Sequence, residues 1–319
     1  MGGIVAKQAF LPPPSSYDDS LEHLTWVSKP RCSDKVPVLW LQRSKSARFT
    51  IIFSHGNAED IGQLSHWLQH ICKKMEVNVI TYDYIGYGLH KADSLPSEAS
   101  CFADVLAVYR FATEQEGVPP SRIILYGRSL GSGPTCWLAS HLWNEWRKSL
   151  KAKSCKRSGG FLSSILSPSA STEPSQQAVE PPAAVILQSP IASCIRVVSD
   201  GLAKLPGLDM FVNIDRIPKI GSPVFIIHGS EDEVVPYVHG QQLYANLSTA
   251  SKGALGGKVS RMCTLDGAGH NNIEFDFLDE LMEALGGFLD DLEAGIKEKE
   301  EHEDVQEEKE TGGSSSSSL

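Results

Sequence analysis

The segment IILYGRSLGSGPTCWLA, residues 123–139, puts a serine between two glycines at the point where an apolar strand gives way to a helix-like pattern. Gly127 and Gly131 permit a sharp turn and a close approach of the helix to the strand. The string Gly127-Arg128-Ser129-Leu130-Gly131 has the GxSxG form of a strand-to-helix turn that exposes a serine nucleophile. We therefore predict a strand, a tight turn that carries Ser129, and a helix.

A glycine-rich turn between a strand and a helix can also bind phosphate, and here the spacing argues against that use. No Lys-Ser or Lys-Thr pair follows the glycines, so the segment does not form a P-loop. Counted from Gly131 and Gly133, the third glycine of a dinucleotide-binding fingerprint would have to stand at Cys136. The nucleophile interpretation is the better of the two.

Strand-like and helix-like segments alternate on both sides of this turn. Residues 22–42 alternate apolar and polar side chains, which predicts early antiparallel strands. Further strands are predicted at 49–56, 78–84, 123–126, 183–190, 223–229 and 259–265, and helices at 60–75, 97–116, 130 to about 146, and 273–292. This order predicts an α/β fold with a mostly parallel central sheet and helices on both faces.

Composition separates one ordered domain from three other segments. With 319 residues, 41% of them hydrophobic, the chain suits a single domain, which we place at 21–296. Residues 1–20 are a Pro-rich N-terminal segment expected to order only by docking. Residues 150–181 are a Ser-, Pro- and Lys-rich insertion and 297–319 an acidic and Ser-rich tail, and both are expected to be disordered.

Charge and cysteine usage limit the classes of partner and location. Residues 290–310 contain 11 acidic residues and 3 lysines, so they carry −8 of the chain's net charge of −10. The domain is therefore nearly neutral, and no nucleic-acid partner is expected. The seven cysteines are an odd number without a CxxC pair, which predicts reduced thiols in a cytoplasmic protein. No run of 18 apolar residues predicts a membrane span, and the N-terminus lacks a secretory pattern. A monomer is the default expectation.

Ser129 needs a base and an orienting acid, because a serine hydroxyl is a weak nucleophile at neutral pH. An α/β-hydrolase presents these groups in the chain order Ser, Asp or Glu, then His. Asp232 follows a predicted strand in FIIHGSEDEVVP, and His270 lies in the glycine-rich turn LDGAGHNN before the last helix. Both positions fall at the sheet edge where such sites assemble. We predict Ser129, Asp232 and His270 as a catalytic triad.

Several neighbouring polar residues offer alternatives. Glu231 or Glu233 could replace Asp232 as the orienting acid, or the acidic run could be a solvated loop. His228 and His55 each precede a glycine at a strand end, and we interpret both as structural. Asp83, also at a strand end, is interpreted as a residue that fixes a loop.

An oxyanion hole requires two backbone N–H groups. One is predicted to come from Leu130, directly after the nucleophile. The other is predicted to come from Asn57 in the turn after the strand at 49–56, with Ala58 as the alternative. Some 32 residues, 191–222, separate two strands where α/β-hydrolases often insert a cap. We therefore expect a small or absent cap and an open site.

Seven strings resemble the α/β-hydrolase domain-containing protein 17 family: FSHGNAEDIGQ, YDYIGYG, YGRSLGSGPT, ILQSPIAS, FVNIDRI, PVFIIHGSEDEVVPYVHG and GAGHNN. The N-terminal string IVAKQAFLPPPSSY is also similar, and the likeness covers about 4–145 and 183–290. The resemblance implies a serine thioesterase that removes palmitate from cysteines of S-acylated proteins at the cytosolic face of membranes. It implies the same three catalytic residues and no metal or organic cofactor.

Three features depart from the pattern of that family. Its N-terminal cysteine cluster, a site of palmitoylation, is missing in that form, and Gly2 is a candidate for myristoylation with a weak motif. Residues 147–157 contain six basic residues and no acid, and they could bind an anionic leaflet or simply form a solvated helix end. Arg128 stands where the family has a GQS-type elbow, and it is a candidate for a residue at the mouth of the pocket.

These observations favour a protein depalmitoylase that acts through an acyl-enzyme. The alternatives are a carboxylesterase or lysophospholipase with the same triad and, less favoured, a non-catalytic binding module with a hydrolase fold. The GxSxG motif does not distinguish thioester from ester substrates, because both pass through the same kind of tetrahedral oxyanion.

Overall fold

The computed structural model describes residues 9–30, 34–91, 95–158, 180–198 and 209–312. Within them the strands form an eight-stranded sheet in the order β1-β2-β4-β3-β5-β6-β7-β8. The strands are β1 (Leu24–Ser28), β2 (Lys35–Leu41), β3 (Thr50–Ser54), β4 (Asn78–Tyr82), β5 (Ile123–Arg128), β6 (Ala184–Gln188), β7 (Val224–Gly229) and β8 (Arg261–Leu265). β1 pairs antiparallel with β2 and β2 with β4, and the pairs from β4 to β8 are parallel. The predicted mostly parallel sheet is confirmed.

Helices cover both faces of this sheet. They are α1 (Ile61–Lys74), α2 (Glu98–Arg110), α3 (Ser132–Ser158), α4 (Cys194–Val198), α5 (Asn213–Arg216), α6 (Val238–Ala245), α7 (Thr249–Gly253), α8 (Ile273–Asp276) and α9 (Leu278–Gly312). The central strands are buried along their whole length, so each has apolar side chains toward both faces. Alternate residues of β3 therefore enter different cores: Ile52 packs in the core that contains residues of α2 and α3, and Ile51 in the core that contains residues of α1 and α9.

Local capping explains where two of the helices begin. The Asp60 side chain accepts a hydrogen bond from the Gln63 N–H at 3.0 Å and caps α1. Ser97 and Ser100 form a reciprocal capping box at the start of α2. Because the β3-to-β8 strands run parallel, their carboxyl ends meet at one edge of the sheet, and the turns that precede α1, α3 and α8 lie at that edge.

Two helices are longer than predicted. α3 runs to Ser158 instead of ending near Trp146, so the start of the 150–181 insertion is helical; 159–179 lie outside the described residues. α9 continues to Gly312, so the prediction of disorder from residue 297 is corrected for 297–312. The run EKEEHEDVQEEKE contains no Gly or Pro, and Lys297 pairs with Glu293 one turn earlier at 2.9 Å. Residues 313–319 lie outside the described part.

The segment between β6 and β7 contains α4 and α5, with 199–208 outside the described residues. Gly2, the candidate lipidation site, also lies outside them. None of the helices in the described part of the chain combines the length and the apolar character that crossing a bilayer requires.

Candidate active site

The turn after β5 presents Ser129 in a strained conformation. Its φ angle is +51°, in the left-handed region that non-glycine residues rarely adopt. A Cβ on Gly127 would lie 2.6 Å from the carbonyl oxygen of Gly131, and a Cβ on Gly131 would overlap the carbonyl of Ser54. Both glycines are therefore required by close approach of the α3 N-terminus to β5 and β3, as the GxSxG pattern predicts.

The structure brings the three predicted triad residues together. His270 Nε2 lies 3.0 Å from Ser129 Oγ, and His270 Nδ1 lies 2.8 Å from Asp232 Oδ2. All three residues are at most 8% exposed. Ser129 is 141 residues from His270 in the chain, so only the packing of β5 and the loops after β7 and β8 creates this contact. The distances allow a proton to pass from the serine to the imidazole while the carboxylate orients the ring.

The carboxylate of Asp232 accepts three hydrogen bonds from N–H donors and lies close to a fourth nitrogen, that of His228. Its Oδ1 accepts from the backbone N–H groups of Val235 at 2.7 Å and Val234 at 3.0 Å. Its Oδ2 accepts from His270 and lies 3.3 Å from His228 Nε2. Burial alone would raise the pKa of Asp232, but the hydrogen bonds from His228 and His270 lower it below the ordinary value of 3.8. Asp232 is therefore an anion at neutral pH.

The rival residues have other contacts. Glu233 Oε2 accepts from the backbone N–H of His270 at 3.3 Å rather than from its ring, and Glu231 is exposed. His228 lies 2.9 Å from the Val235 carbonyl through Nε2, the same nitrogen that approaches Asp232. That second contact with the acid was not foreseen from the sequence. Its only sequence signal is the spacing of four residues between His228 and Asp232.

Asp83 and His55 are structural, as predicted. Asp83 Oδ1 accepts from the Ile61 N–H at 3.0 Å, and its Oδ2 accepts from the Tyr17 hydroxyl. Buried His55 places Nδ1 2.7 Å from the Gly56 carbonyl and Nε2 3.4 Å from Asp83. Asp83 therefore joins the N-terminal segment, the start of α1 and the turn after β3.

The turn after β3, residues 55–60, carries the predicted oxyanion donor Asn57. The Asn57 Oδ1 accepts from the backbone N–H of Ala58 at 3.1 Å, of Leu11 at 2.9 Å and from the Tyr87 hydroxyl at 2.6 Å. Its Nδ2 donates to the Ala9 carbonyl at 2.8 Å. The N–H of Ala58, the alternative donor, is therefore engaged by a side chain.

The second predicted oxyanion donor, Leu130, follows Ser129 in the short 3-10 turn that leads into α3.

The sequence did not predict that residues 9–17 would dock on the turn after β3. Nothing in the local pattern of a Pro-rich segment indicates which turn it will contact.

Arg128 does not stand at the mouth of a pocket, and that prediction is wrong. The residue is 8% exposed, and its guanidinium contacts the loop that carries His270. Nε is 2.5 Å from Glu274 Oε1, and Nη2 is 3.3 Å from the His270 carbonyl oxygen. Arg128 is the last residue of β5, a strand that is buried along its whole length.

Neither metal ligands nor disulfides stand out in the part of the chain that the structure describes. No group of three or more His, Cys, Asp or Glu side chains in it is arranged to hold a metal ion. The cysteines with described side chains carry free thiols, at Cys72, Cys101, Cys136, Cys194 and Cys263.

Solved structures with the same architecture are enzymes of the α/β-hydrolase fold. A Pyrococcus furiosus esterase, Pf2001, matches with a TM-score of 0.58 and 16% identity, over 88% of this chain and 98% of the esterase. Est1E from Butyrivibrio proteoclasticus, solved with ferulic acid, matches with a TM-score of 0.56 and 16% identity over 85% and 99% of the two chains. At these identities the likeness shows the fold, and it confirms the predicted α/β-hydrolase class.

Curated relatives identify the family, although no family model matches the chain. Alpha/beta hydrolase domain-containing protein 17B of Xenopus laevis is 30% identical, over 91% of this chain and 93% of the relative. The Homo sapiens 17B protein is 29% identical over the same shares, and the Mus musculus 17C protein is 32% identical over 82% of this chain and 67% of the relative. The chain belongs to the alpha/beta hydrolase domain-containing protein 17 family.

Proposed function

We propose that this hydrolase is a serine thioesterase that removes palmitate from S-acylated cysteines of membrane-associated proteins. The observation that carries the proposal is the continuous hydrogen-bonded relay from Ser129 Oγ through His270 to Asp232, with distances of 3.0 and 2.8 Å. The choice of a palmitoyl thioester rests on the resemblance of the catalytic strings to the family.

The reaction has two acyl-transfer steps. Ser129 Oγ attacks the thioester carbonyl carbon while His270 Nε2 accepts the hydroxyl proton. The tetrahedral oxyanion collapses, the C–S bond breaks, and His270 returns the proton to the leaving cysteine sulfur. A water molecule then attacks the acyl-enzyme with His270 as base, and the second collapse releases palmitate and restores the Ser129 hydroxyl.

Two groups lower the barrier of each step. The Asp232 carboxylate holds the tautomer of His270 and stabilises the imidazolium that forms when the serine loses its proton. The backbone N–H groups of Asn57 and Leu130 are the proposed donors to the oxyanion, a contribution of about 3 to 4 kcal/mol per donor in comparable enzymes.

The surroundings of the triad suit a substrate that is presented at the cytosolic face of a membrane. Val234, two residues after Asp232, is 43% exposed, and Phe275, five residues after His270, is 80% exposed. We propose that these apolar side chains contact lipid next to the acylated cysteine.

Arg147, where the basic stretch begins, lies 15 residues beyond Ser132 along α3, or about 22 Å at 1.5 Å per residue. That stretch is therefore a separate candidate for binding lipid.

The test compares two acyl substrates on the wild-type protein and on Ser129→Ala. We expect the wild type to hydrolyse an S-palmitoyl-cysteine peptide faster than a matched palmitate oxyester, and Ser129→Ala to lose all turnover above background. Ser46→Ala, which alters an exposed serine between β2 and β3, is the matched control and retains wild-type rates. Turnover of the oxyester alone would favour a carboxylesterase or lysophospholipase, and no turnover of either would refute the proposal.

The membrane contact is tested separately by sedimentation with vesicles of phosphatidylcholine and phosphatidylserine. Phe275→Ser is expected to reduce the bound fraction, because it removes the most exposed large apolar side chain near the triad. Trp26→Ser, which alters a 41% exposed residue of the edge strand β1, is the control and leaves binding unchanged. Equal binding of the wild type and Phe275→Ser would contradict the proposed contact.

A further inference from the structure

The residue before the nucleophile, Arg128, sits in a buried ionic network that the proposed mechanism does not use. Its side chain and that of Glu274 are 10% and 9% exposed, and Nε lies 2.5 Å from Glu274 Oε1. On the other side, Nη1 lies 3.5 Å from Glu59 Oε1. Nη2 lies 3.3 Å from the His270 carbonyl oxygen and 3.4 Å from Asn271 Oδ1. One guanidinium therefore contacts two carboxylates and the loop that carries the base.

Each partner of Arg128 belongs to a different element of the active site. Glu274 lies in α8, four residues after His270, and its Oε1 also accepts from Gln188 Nε2 at 2.8 Å at the end of β6. Glu59 lies in the turn after β3, and its Oε1 accepts from the Gly56 N–H at 2.5 Å, next to Asn57. The network thus connects the strand of the nucleophile to the loop of the base and to the turn with the proposed oxyanion donor.

The chemistry of the side chain suits this arrangement. A guanidinium is planar and presents five N–H donors in a fixed fork, so it can hold several acceptors at set angles. Burial opposes the charge of Arg128, but Glu59 and Glu274 raise the pKa of its guanidinium, so the network stays ionic at working pH. Because a buried ion pair contributes little net stability compared with apolar packing, a geometric role is the stronger explanation for keeping one here.

We propose that Arg128 is a positioning residue that sets the His270 ring against Ser129 and couples this loop to the turn that carries Asn57. The proposal rests on the proposed function only in taking Ser129 as the nucleophile and His270 as its base. It does not depend on which acyl group is cleaved. A change of the Arg128 network shifts the base relative to the nucleophile and therefore affects the chemical step more than substrate binding.

The experiment measures the rate at which a fluorophosphonate labels Ser129, where the serine oxygen displaces fluoride from phosphorus. Arg128→Gln and Arg128→Lys are compared with the wild type, and Arg48→Gln is the control. Arg48 forms an ion pair with Asp290 at 2.5 Å and donates to the Met75 carbonyl at 3.2 Å, away from the catalytic turns. We expect labelling to slow by about 10- to 100-fold in both Arg128 variants, because small misplacements of catalytic groups cost rate on this scale. For Arg48→Gln the labelling rate should stay within about twofold of the wild type.

Two further readouts separate positioning from loss of fold. On the acyl substrate that the wild type turns over, we expect kcat to fall in Arg128→Gln while KM stays within about twofold, which marks an effect on the chemical step. Glu274→Gln keeps a side chain of the same shape and is expected to slow labelling in the same way. The double variant should be no slower than the slower single variant, because the two residues act as one unit.

The outcomes decide between the alternatives. Labelling of folded Arg128→Gln and Glu274→Gln within twofold of the wild type would overturn the positioning role. So would a rise in KM alone, or a double variant whose loss equals the product of the two single losses. If Arg128→Gln does not fold, Glu274→Gln carries the test. Failure of the wild type itself to label would instead refute Ser129 as the nucleophile, and with it the proposed function.

Discussion

Two buried aspartates of this molecule have pKa values that are shifted in opposite directions. Asp232, in the loop after β7, has a lowered pKa, whereas Asp104, in α2, has a raised one. Burial opposes ionisation of both carboxyls, and both lie close to a histidine. Asp104 is the more deeply buried of the two, at 0% exposed against 7% for Asp232.

The depth of burial and the number of N–H donors together explain why the two pKa values shift in opposite directions. Both oxygens of Asp232 accept hydrogen bonds, from two backbone N–H groups and from His270, and Oδ2 also faces His228. Asp104 Oδ1 accepts from Lys29 Nζ at 2.8 Å, but Oδ2 has no hydrogen-bond partner among the described residues. For Asp104 burial outweighs the contributions of His90 and Lys29, and nearby Asp34 raises the pKa further. Preorganised donors can outweigh the effect of burial and keep a buried carboxylate ionised.

The two sites also have different consequences for the protein. The anion at Asp232 orients the base of the proposed reaction. The ion pair at Asp104 connects α2 to Lys29, which follows β1 and also pairs with Asp34 at 2.5 Å. We therefore expect changes at Asp232 to affect turnover and changes around Asp104 to affect folding.

The largest expected effect is that of Asp232→Asn on turnover. An asparagine offers an N–H where His270 Nδ1 needs an acceptor, so the ring takes the wrong tautomer and kcat falls by about 10⁴-fold, as for the equivalent change in a serine protease. The variant should keep its circular dichroism spectrum. A loss of kcat below tenfold would show that the Asp232 carboxylate does not orient His270 for the reaction. Glu231→Gln is the matched control, since Glu231 is an exposed acidic residue of the same loop.

A smaller effect, on stability, is expected for Lys29→Met. The Lys29 and Asp104 side chains are 9% and 0% exposed, and removal of the cation leaves a buried carboxylate without its charged partner. The free energy of unfolding in urea should fall by about 3 to 5 kcal/mol. The rate per folded molecule should stay within twofold of the wild type. The double variant Lys29→Met/Asp104→Leu should recover much of the loss, and a failure to recover any would contradict the ion-pair explanation.

The smallest expected effect is on the pH dependence of the free energy of unfolding, which should differ between the two aspartates. The folded pKa of Asp104 lies above the unfolded value of about 3.9, so the folded state binds more protons and this residue's contribution to stability is lost as the pH rises from about 4. Relative to Asp104→Asn, the wild type should therefore lose stability in urea as the pH is raised from 4 to 7.

For Asp232 the sign is reversed. Its folded pKa is depressed, so its contribution is complete above about pH 5 and is lost as the pH falls below about 4. Relative to Asp232→Asn, the wild type should show a larger difference in unfolding free energy at pH 5 than at pH 3. Slopes of the same sign for the two aspartates would contradict the explanation by hydrogen-bond donors.

Local pattern was sufficient for the order of elements and for the three residues of the relay. The GxSxG turn is recognisable because both glycines are required within five residues of chain. The parallel sheet follows from alternating strand and helix periodicity, and parallel strands bring their carboxyl ends to one edge. A prediction that Asp232 and His270 lie near Ser129 therefore needs only their positions after strands in the right chain order.

Long-range packing determined what the pattern did not contain. Arg128 reaches the carbonyl of a residue 142 positions away, and Leu11 contacts Asn57 across 46 positions. The contact of His228 with Asp232 and the lack of a hydrogen-bond partner for Asp104 Oδ2 within the described ranges likewise depend on how the chain packs. The local spacing of apolar residues and glycines indicates which face of a helix or strand is buried. Which polar groups meet at a buried point depends on the register and approach of elements distant in the chain, and this is set only when the whole core has packed.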